Sequence, residues 1–212
     1  MRRFDLTVQV LSLDPSAMQT LGLSSQDKRS DGRLKSIFWP TVENAWDVNH
    51  LGQQGFWICL IVGLLQLIGL AFVGSPLFLI MGIVSFLIFF LGGVGVREAS
   101  WPAAAIVFTI FVSGIADTMA RGTSPGIIAI TAAAILLSNV RAAFLASEWH
   151  PAAPDEDRPT RFNESFTDKV VDQLPARLWP IMKVPFFIIS ALYLLLIFAG
   201  FAIQITHRLG HL

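Results

Sequence analysis

From Val48 to Val96 the chain contains no Asp, Glu, Lys or Arg. A soluble fold of this size could not keep so long an uncharged run out of water, whereas one helix across a hydrocarbon core of about 30 Å needs only about 20 apolar residues. The run is long enough for two crossings. Charged residues make up only 14% of the 212, against about 25% in ordinary soluble domains. A soluble enzyme, a DNA-binding domain and a disordered protein are therefore excluded as readings. The pattern predicts an all-α integral membrane protein, a bundle of five transmembrane helices with short cytoplasmic interfacial segments.

Five stretches have the required length and apolarity. The first runs from Gly55 to Val73 and stops at Gly74-Ser75-Pro76, where glycine accepts unusual dihedrals and proline opens the next helix without needing its N–H. The second runs from Leu77 to Val96 and leaves through Gly92, Gly93 and Gly95 towards Arg97-Glu98. Ser100 is the expected N-cap of the third, Trp101 to Ala116, with Pro102 in its first turn and Asp117 and Arg121 marking its far end. Gly122-Thr123-Ser124-Pro125 turns the chain into the fourth, Gly126 to Val140, extended to Trp149 if that indole sits at the interface. The fifth runs from Val184 to Ile205. Because the third and fourth are Ala-rich and less apolar, a four-span arrangement is the main competitor.

Five crossings divide the basic residues unevenly. Residues 1–54, the Arg97 turn and the loop from Arg141 to Lys183 carry 13 Lys and Arg, against 2 on the opposite side. Omitting the N-terminal segment still leaves 7 against 2. Lys and Arg stay cytoplasmic, which places the N-terminus inside and the C-terminus outside, in an arrangement that fits a bacterial cytoplasmic membrane. Trp57, Trp101, Trp149 and Trp179 then all fall near span ends on the inner side, at the depth where an indole is half buried and can still donate its N–H. A four-span arrangement would scatter them. The chain accordingly divides into a cytoplasmic segment (1–54), four spans (55–149), a cytoplasmic loop (150–183), a fifth span (184–205) and an external tail (206–212).

Outside the spans, Phe4, Leu6, Val8 and Val10 alternate with polar residues and predict a short extended segment. Ser24 to Lys35 reads as a linker, and Val42 to Asp47 as a short surface helix capped by Thr41. Met1-Arg2-Arg3 has the basic start of a signal peptide, but Asp5, Gln9 and Asp14 interrupt the apolar core such a peptide needs. In the long loop, Phe162, Phe166, Val170 and Leu174 recur every four residues, as on an amphipathic helix lying in the interface; a small cap packing on itself is the alternative. Leu178-Trp179-Pro180 echoes Phe38-Trp39-Pro40 as an anchor before a span.

Ionisable side chains deep in a bilayer cost roughly 3 kcal/mol each on insertion scales, so they mark function by default. No Asp, Glu, Lys, Arg or His lies at the centre of a predicted span. That argues against a proton relay, a carboxylate cation site, a gating-charge helix and a bis-histidine haem. His207 and His211 have metal-ligand spacing but no third ligand near them in sequence. Ser113-Gly114 lacks the intramembrane histidine that a serine protease would use as base. Neither a catalytic residue, a cofactor site nor a metal site is expected.

Small residues at four-residue spacing are the strongest positive pattern. Ala105, Thr109, Ser113, Asp117 and Arg121 line one face of the third span, and Ala134, Ser138, Ala142 and Ala146 one face of the fourth. Helices in lipid associate through close backbone contact and occasional hydrogen bonds, which such rows permit. They predict a tight antiparallel hairpin with Thr109 and Ser113 bonded to backbone carbonyls and Asp117 paired with Arg121. Gln66, mid-span in the first crossing, reads as interhelical glue; the sharper alternative is a polar path through Gln66, Thr109, Ser113 and Asp117. On the inner side, Arg97, Glu98, Arg141 and Glu148 form a candidate lipid or partner contact, with Arg141 snorkelling or pairing with Glu98.

These features predict a polytopic membrane protein without a catalytic site: a scaffold, accessory or assembly subunit, with the lipid bilayer and other membrane subunits or further copies of itself as partners, and no nucleic acid. The alternative is a small oligomeric transporter or channel built on the polar face of the third span.

Overall fold

Each predicted crossing is a helix. In a computed structural model that describes Val42 and residues 45–148 and 169–209, α1 spans Ala45–Ala71, α2 Pro76–Arg97, α3 Trp101–Ala120, α4 Ile127–Glu148 and α5 Leu174–Leu209. A single π-helical turn, Lys169–Gln173, feeds α5. Five helices are long and apolar enough to cross a membrane, and no strand occurs among the described residues. The expected extended segment at Phe4–Val10, the linker and the cap at Thr41 lie outside them, as do Trp149 and the first part of the amphipathic segment, Phe162 and Phe166.

The turns follow the local chemistry. Pro76 is the first residue of α2 and Pro102 sits in the first turn of α3, where a missing N–H costs nothing. Ser100 occupies the N-cap position of α3 in an extended conformation, but its side chain makes no capping bond. Gly122 closes α3 with φ of 79°; its N–H meets Met119 O at 2.9 Å and the N–H of Thr123 meets Thr118 O at 3.1 Å. That pair of bonds is the Schellman arrangement, which favours glycine at its left-handed position. α2 ends the same way, with Ala99 N–H to Val96 O at 3.1 Å and Ser100 N–H to Gly95 O at 2.9 Å. Here, however, an alanine takes the left-handed position, with φ of 52°.

Two helices begin ten residues earlier than the expected crossings. α1 begins at Ala45, so from there on the separate surface helix expected over Val42–Asp47 is one piece with the first crossing. α5 begins ten residues before Val184 and carries Pro180 and Pro185 inside it. Leu178-Trp179-Pro180 is thus part of the helix rather than an anchor ahead of it. Proline in a helix interior removes one backbone hydrogen bond, a loss that neighbouring helices offset in membrane proteins.

α1 packs on α2 and α4, and α3 packs on α2 and α4, so these four close into a ring. α5 lies outside it against α2 and, more lightly, α3. The most apolar stretch of α2 is 44% buried and that of α5 only 11%: α2 is the axis and α5 the outrider. Buried side chains concentrate at the end that carries Arg97. Leu51, Phe56, Cys59, Phe89, Val94, Val96, Ala103, Val107, Leu136, Val171 and Phe186 are all at most 3% exposed. At the end that carries Arg121, Phe72, Ile127 and Ile128 are at least 80% exposed. More of the chain is tightly buried at the Arg97 end than at the Arg121 end.

Candidate functional site

The tight end is organised by glycine. Gly92, Gly93 and Gly95 are not an exit from the second crossing, as expected, but buried positions in the last turns of α2. A side chain on Gly92 would run into Val107 of α3, and one on Gly93 would stand 2.8 Å from Cβ of Cys59 in α1. On Gly95 it would stand 2.5 Å from Trp179 of α5 and 2.6 Å from Cβ of Ala103 in α3. Three neighbours therefore reach the backbone of α2 within one turn. These small residues on α2 permit close approach of its neighbours and lie outside the two rows read from the sequence.

Trp179 departs from its expected place for the same reason. Instead of standing half-wet at the interface it is 9% exposed, with its ring centroid 5.7 Å from that of Phe186 and 6.1 Å from that of Phe187. The glycine at position 95 leaves room for an indole, and burial of its large apolar area follows. Trp101 is the exposed one; it meets Phe144 of α4 edge-on at 6.1 Å.

The two small-residue rows fare differently. In α4, Ser138 and Ala142 are buried at 0% and 2% exposure, with Ala134 and Ala146 half-buried on either side. In α3 the buried face is Ala103, Ala104, Val107 and Ile110. Ala105, Ser113 and Asp117 are half-buried, and Thr109 and Arg121 are exposed. α3 and α4 do lie side by side, but α3 commits its best-buried side chains elsewhere, with Val107 filling the space over Gly92. The hydroxyls bond within their own helix: Thr109 Oγ1 to Ala105 O at 2.8 Å and Ser113 Oγ to Ile110 O at 2.7 Å. Asp117 and Arg121 form an ion pair at 2.9 Å.

Asn139 is a polar residue that the sequence reading passed over. It is 2% exposed, its amide nitrogen donates to Ile135 O at 2.9 Å, and a Cβ on Gly55 of α1 would stand 2.6 Å from its Oδ1. The available signal was its place next to Ser138, a member of the small-residue row of that crossing. The hydroxyls of Ser138 and of Ser190 in α5 are buried with no hydrogen-bond partner among the described residues.

At the Arg121 end, α1, α3 and α4 line a cleft of about 330 Å³. Gln66 of α1 forms one wall, and Phe111, Gly114, Ile115 and Thr118 of α3 another; the turn from Ser124 to Gly126 and Ala129 of α4 complete it. Ser85 Oγ of α2 donates to Gln66 Oε1, tying α1 to α2. Thr118 Oγ1 donates to Gly114 O at 2.9 Å. Of the four residues of the expected polar path, only Gln66 lines this cleft. Thr109, Ser113 and Asp117 do not.

Arg97 and Arg141 sit at a similar depth. Gly55 faces both Val96 and Asn139, so Arg97, one residue beyond Val96, and Arg141, two beyond Asn139, occupy nearly the same level. Arg97 Nε donates to Val171 O at 3.1 Å, which links the end of α2 to the turn before α5. Glu98 is exposed, and Glu148 ends α4 with its side chain outside the described residues. Among the described residues, no three His, Cys, Asp or Glu side chains cluster closely enough to hold a metal ion.

Compared with protein-family models, curated proteins and solved structures, the chain matches none of them.

Proposed function

We propose that this chain is a non-enzymatic subunit of a membrane complex, a scaffold, accessory or assembly factor, that crosses a bacterial cytoplasmic membrane five times. In this reading its N-terminus and the Arg141–Lys183 loop lie in the cytoplasm and its C-terminus lies outside. The uneven distribution of Lys and Arg supports that orientation. The observation that carries the functional reading is the closed, apolar packing of the Arg97 end. Phe56, Cys59, Phe89, Val107 and Leu136 are each at most 2% exposed, so a solute entering between the four helices from the other end would meet a dry core. α5 adds a second argument: a helix this apolar and this little covered by its own chain has surface to offer other membrane subunits or lipid.

Native mass spectrometry of the chain extracted gently at its natural abundance tests the reading. A defined complex with one or more other membrane proteins in fixed ratio is expected. A homo-oligomer that conducts ions or solutes in liposomes, or a solitary chain, would overturn it. Single cysteines introduced at Ser24 and Ser124 in a Cys59→Ala background, probed with an impermeant maleimide, test the orientation: Ser124 should label in intact cells and Ser24 should not.

A further inference from the structure

The cleft at the Arg121 end points to an occupant of definite chemistry. None of the residues that line it is charged. Its walls combine an aromatic ring (Phe111) and aliphatic groups (Ile115, Ala129) with the Gln66 amide and the hydroxyls of Thr118, bonded within its own helix, and of Ser124. The Gln66 carbonyl oxygen is taken by Ser85, while its amide nitrogen has no partner among the described residues. In a hydrocarbon surround an amide left without an acceptor is costly. The occupant must therefore bring an acceptor and an apolar body together.

Depth narrows the choice. Gln66 lies five residues before the end of α1 at Ala71, or about 7–8 Å along the helix at 1.5 Å per residue. The cleft is also lined by the Ser124–Gly126 turn, which joins α3 to α4 at the same end of the bundle. The lining thus runs from the end of the bundle into the apolar part of the crossing, so a lipid seated there has its ester groups at the upper part of the cleft and its chains below them. We propose that the cleft binds the glycerol-ester region of one diacyl membrane lipid, with the Gln66 amide donating to an ester carbonyl and the adjoining chain lying against Phe111, Ile115 and Ala129. This goes beyond the subunit reading and rests only on the part of it that embeds the helices in a bilayer.

A lipid that differs only at the ester supplies the test. The full chain in mild detergent is titrated with dioleoyl phosphatidylcholine, and in parallel with the dialkyl ether analogue that has the same headgroup and chains, and bound lipid is counted by native mass spectrometry. One ester lipid per chain is expected, with the ether analogue held severalfold more weakly because it offers no carbonyl. Gln66→Leu should bring the ester lipid down to the ether level. A Cβ at Gly114 or at Gly126 meets nothing within 4 Å, so Gly114→Leu and Gly126→Leu can fold and should reduce binding of both lipids by crowding the cleft. Equal binding of ester and ether lipids to the unmodified chain, no retained lipid, or a lipid still held by folded Gly114→Leu and Gly126→Leu variants would each overturn the proposal. A water-filled cleft would give the first or second of these outcomes. Failure to find a partner subunit would leave this result untouched, and loss of the ester preference would leave the subunit reading untouched.

Discussion

The indole of Trp179 covers Gly95 so closely that a methyl group on that glycine would stand 2.5 Å from Cη2 and 2.7 Å from Cζ3. Real carbon atoms do not approach to that distance, so the outlying helix α5 is seated on the ring by the absence of a side chain. Gly95→Ala should therefore dislodge Trp179. Overpacking costs typically about 1–3 kcal/mol, read as a lower midpoint of thermal unfolding in detergent, accompanied by a red-shifted tryptophan emission as Trp179 becomes exposed. Unchanged stability and emission would show that α5 is held by something else.

Gly55 and Asn139 form a second such contact, between α1 and α4. A Cβ on Gly55 would sit 2.6 Å from both Asn139 Oδ1 and Val96 Cγ1. Gly55→Ala should destabilise the wild type by about 1–3 kcal/mol and destabilise an Asn139→Ala background by measurably less. Contacting residues give such non-additive cycles and distant ones do not. Thermal unfolding of the two single variants and the double variant measures the coupling.

The two small-residue rows predict opposite responses to the same substitution. Ser138→Leu and Ala142→Leu force a large side chain into positions at most 2% exposed, and either should lower thermal stability markedly in detergent. Thr109→Leu replaces an exposed side chain whose hydroxyl serves only its own helix, and stability should stay within about 0.5 kcal/mol of wild type. Ser138→Ala removes a buried hydroxyl that has no partner among the described residues. It should be neutral or slightly stabilising, because the desolvation cost of that group disappears.

Ala99 holds a left-handed conformation, φ 52°, that suits glycine. For a residue with a Cβ this costs about 1–2 kcal/mol, so Ala99→Gly should raise stability by up to about 1 kcal/mol after the entropy that glycine costs in the unfolded chain. Gly122→Ala, at φ 79° in the matching motif that ends α3, should lower it by a similar amount. Thermal unfolding of the pair checks both signs.

The ion pair between Asp117 and Arg121 carries little weight. It is i, i+4 on one helix, with the arginine side chain 70% exposed, and exposed pairs of this kind are worth only a few tenths of a kcal/mol. Asp117→Asn should leave the unfolding midpoint nearly unchanged in low and high salt alike.

Much of the architecture was present in local chemistry. Length and apolarity decide which stretches become helices, and Gly74-Ser75-Pro76 and Gly122-Thr123-Ser124-Pro125 decide where the chain turns back, because dihedral freedom and a missing N–H act within a few residues. Own-turn bonds of Thr109 and Ser113, and the pairing of Asp117 with Arg121, are likewise consequences of helical spacing alone. Which face of each helix meets which neighbour is another matter. In a soluble protein the buried face is the apolar one and periodicity reveals it; in these helices almost every face is apolar, so the pattern does not distinguish neighbour from surroundings. The choice fell to steric fit across the fold. Gly92, Gly93 and Gly95 admit Val107, Cys59 and Trp179, Gly55 admits Asn139, and Gln66 stands beside a cleft shared by three helices that none of these segments encodes by itself.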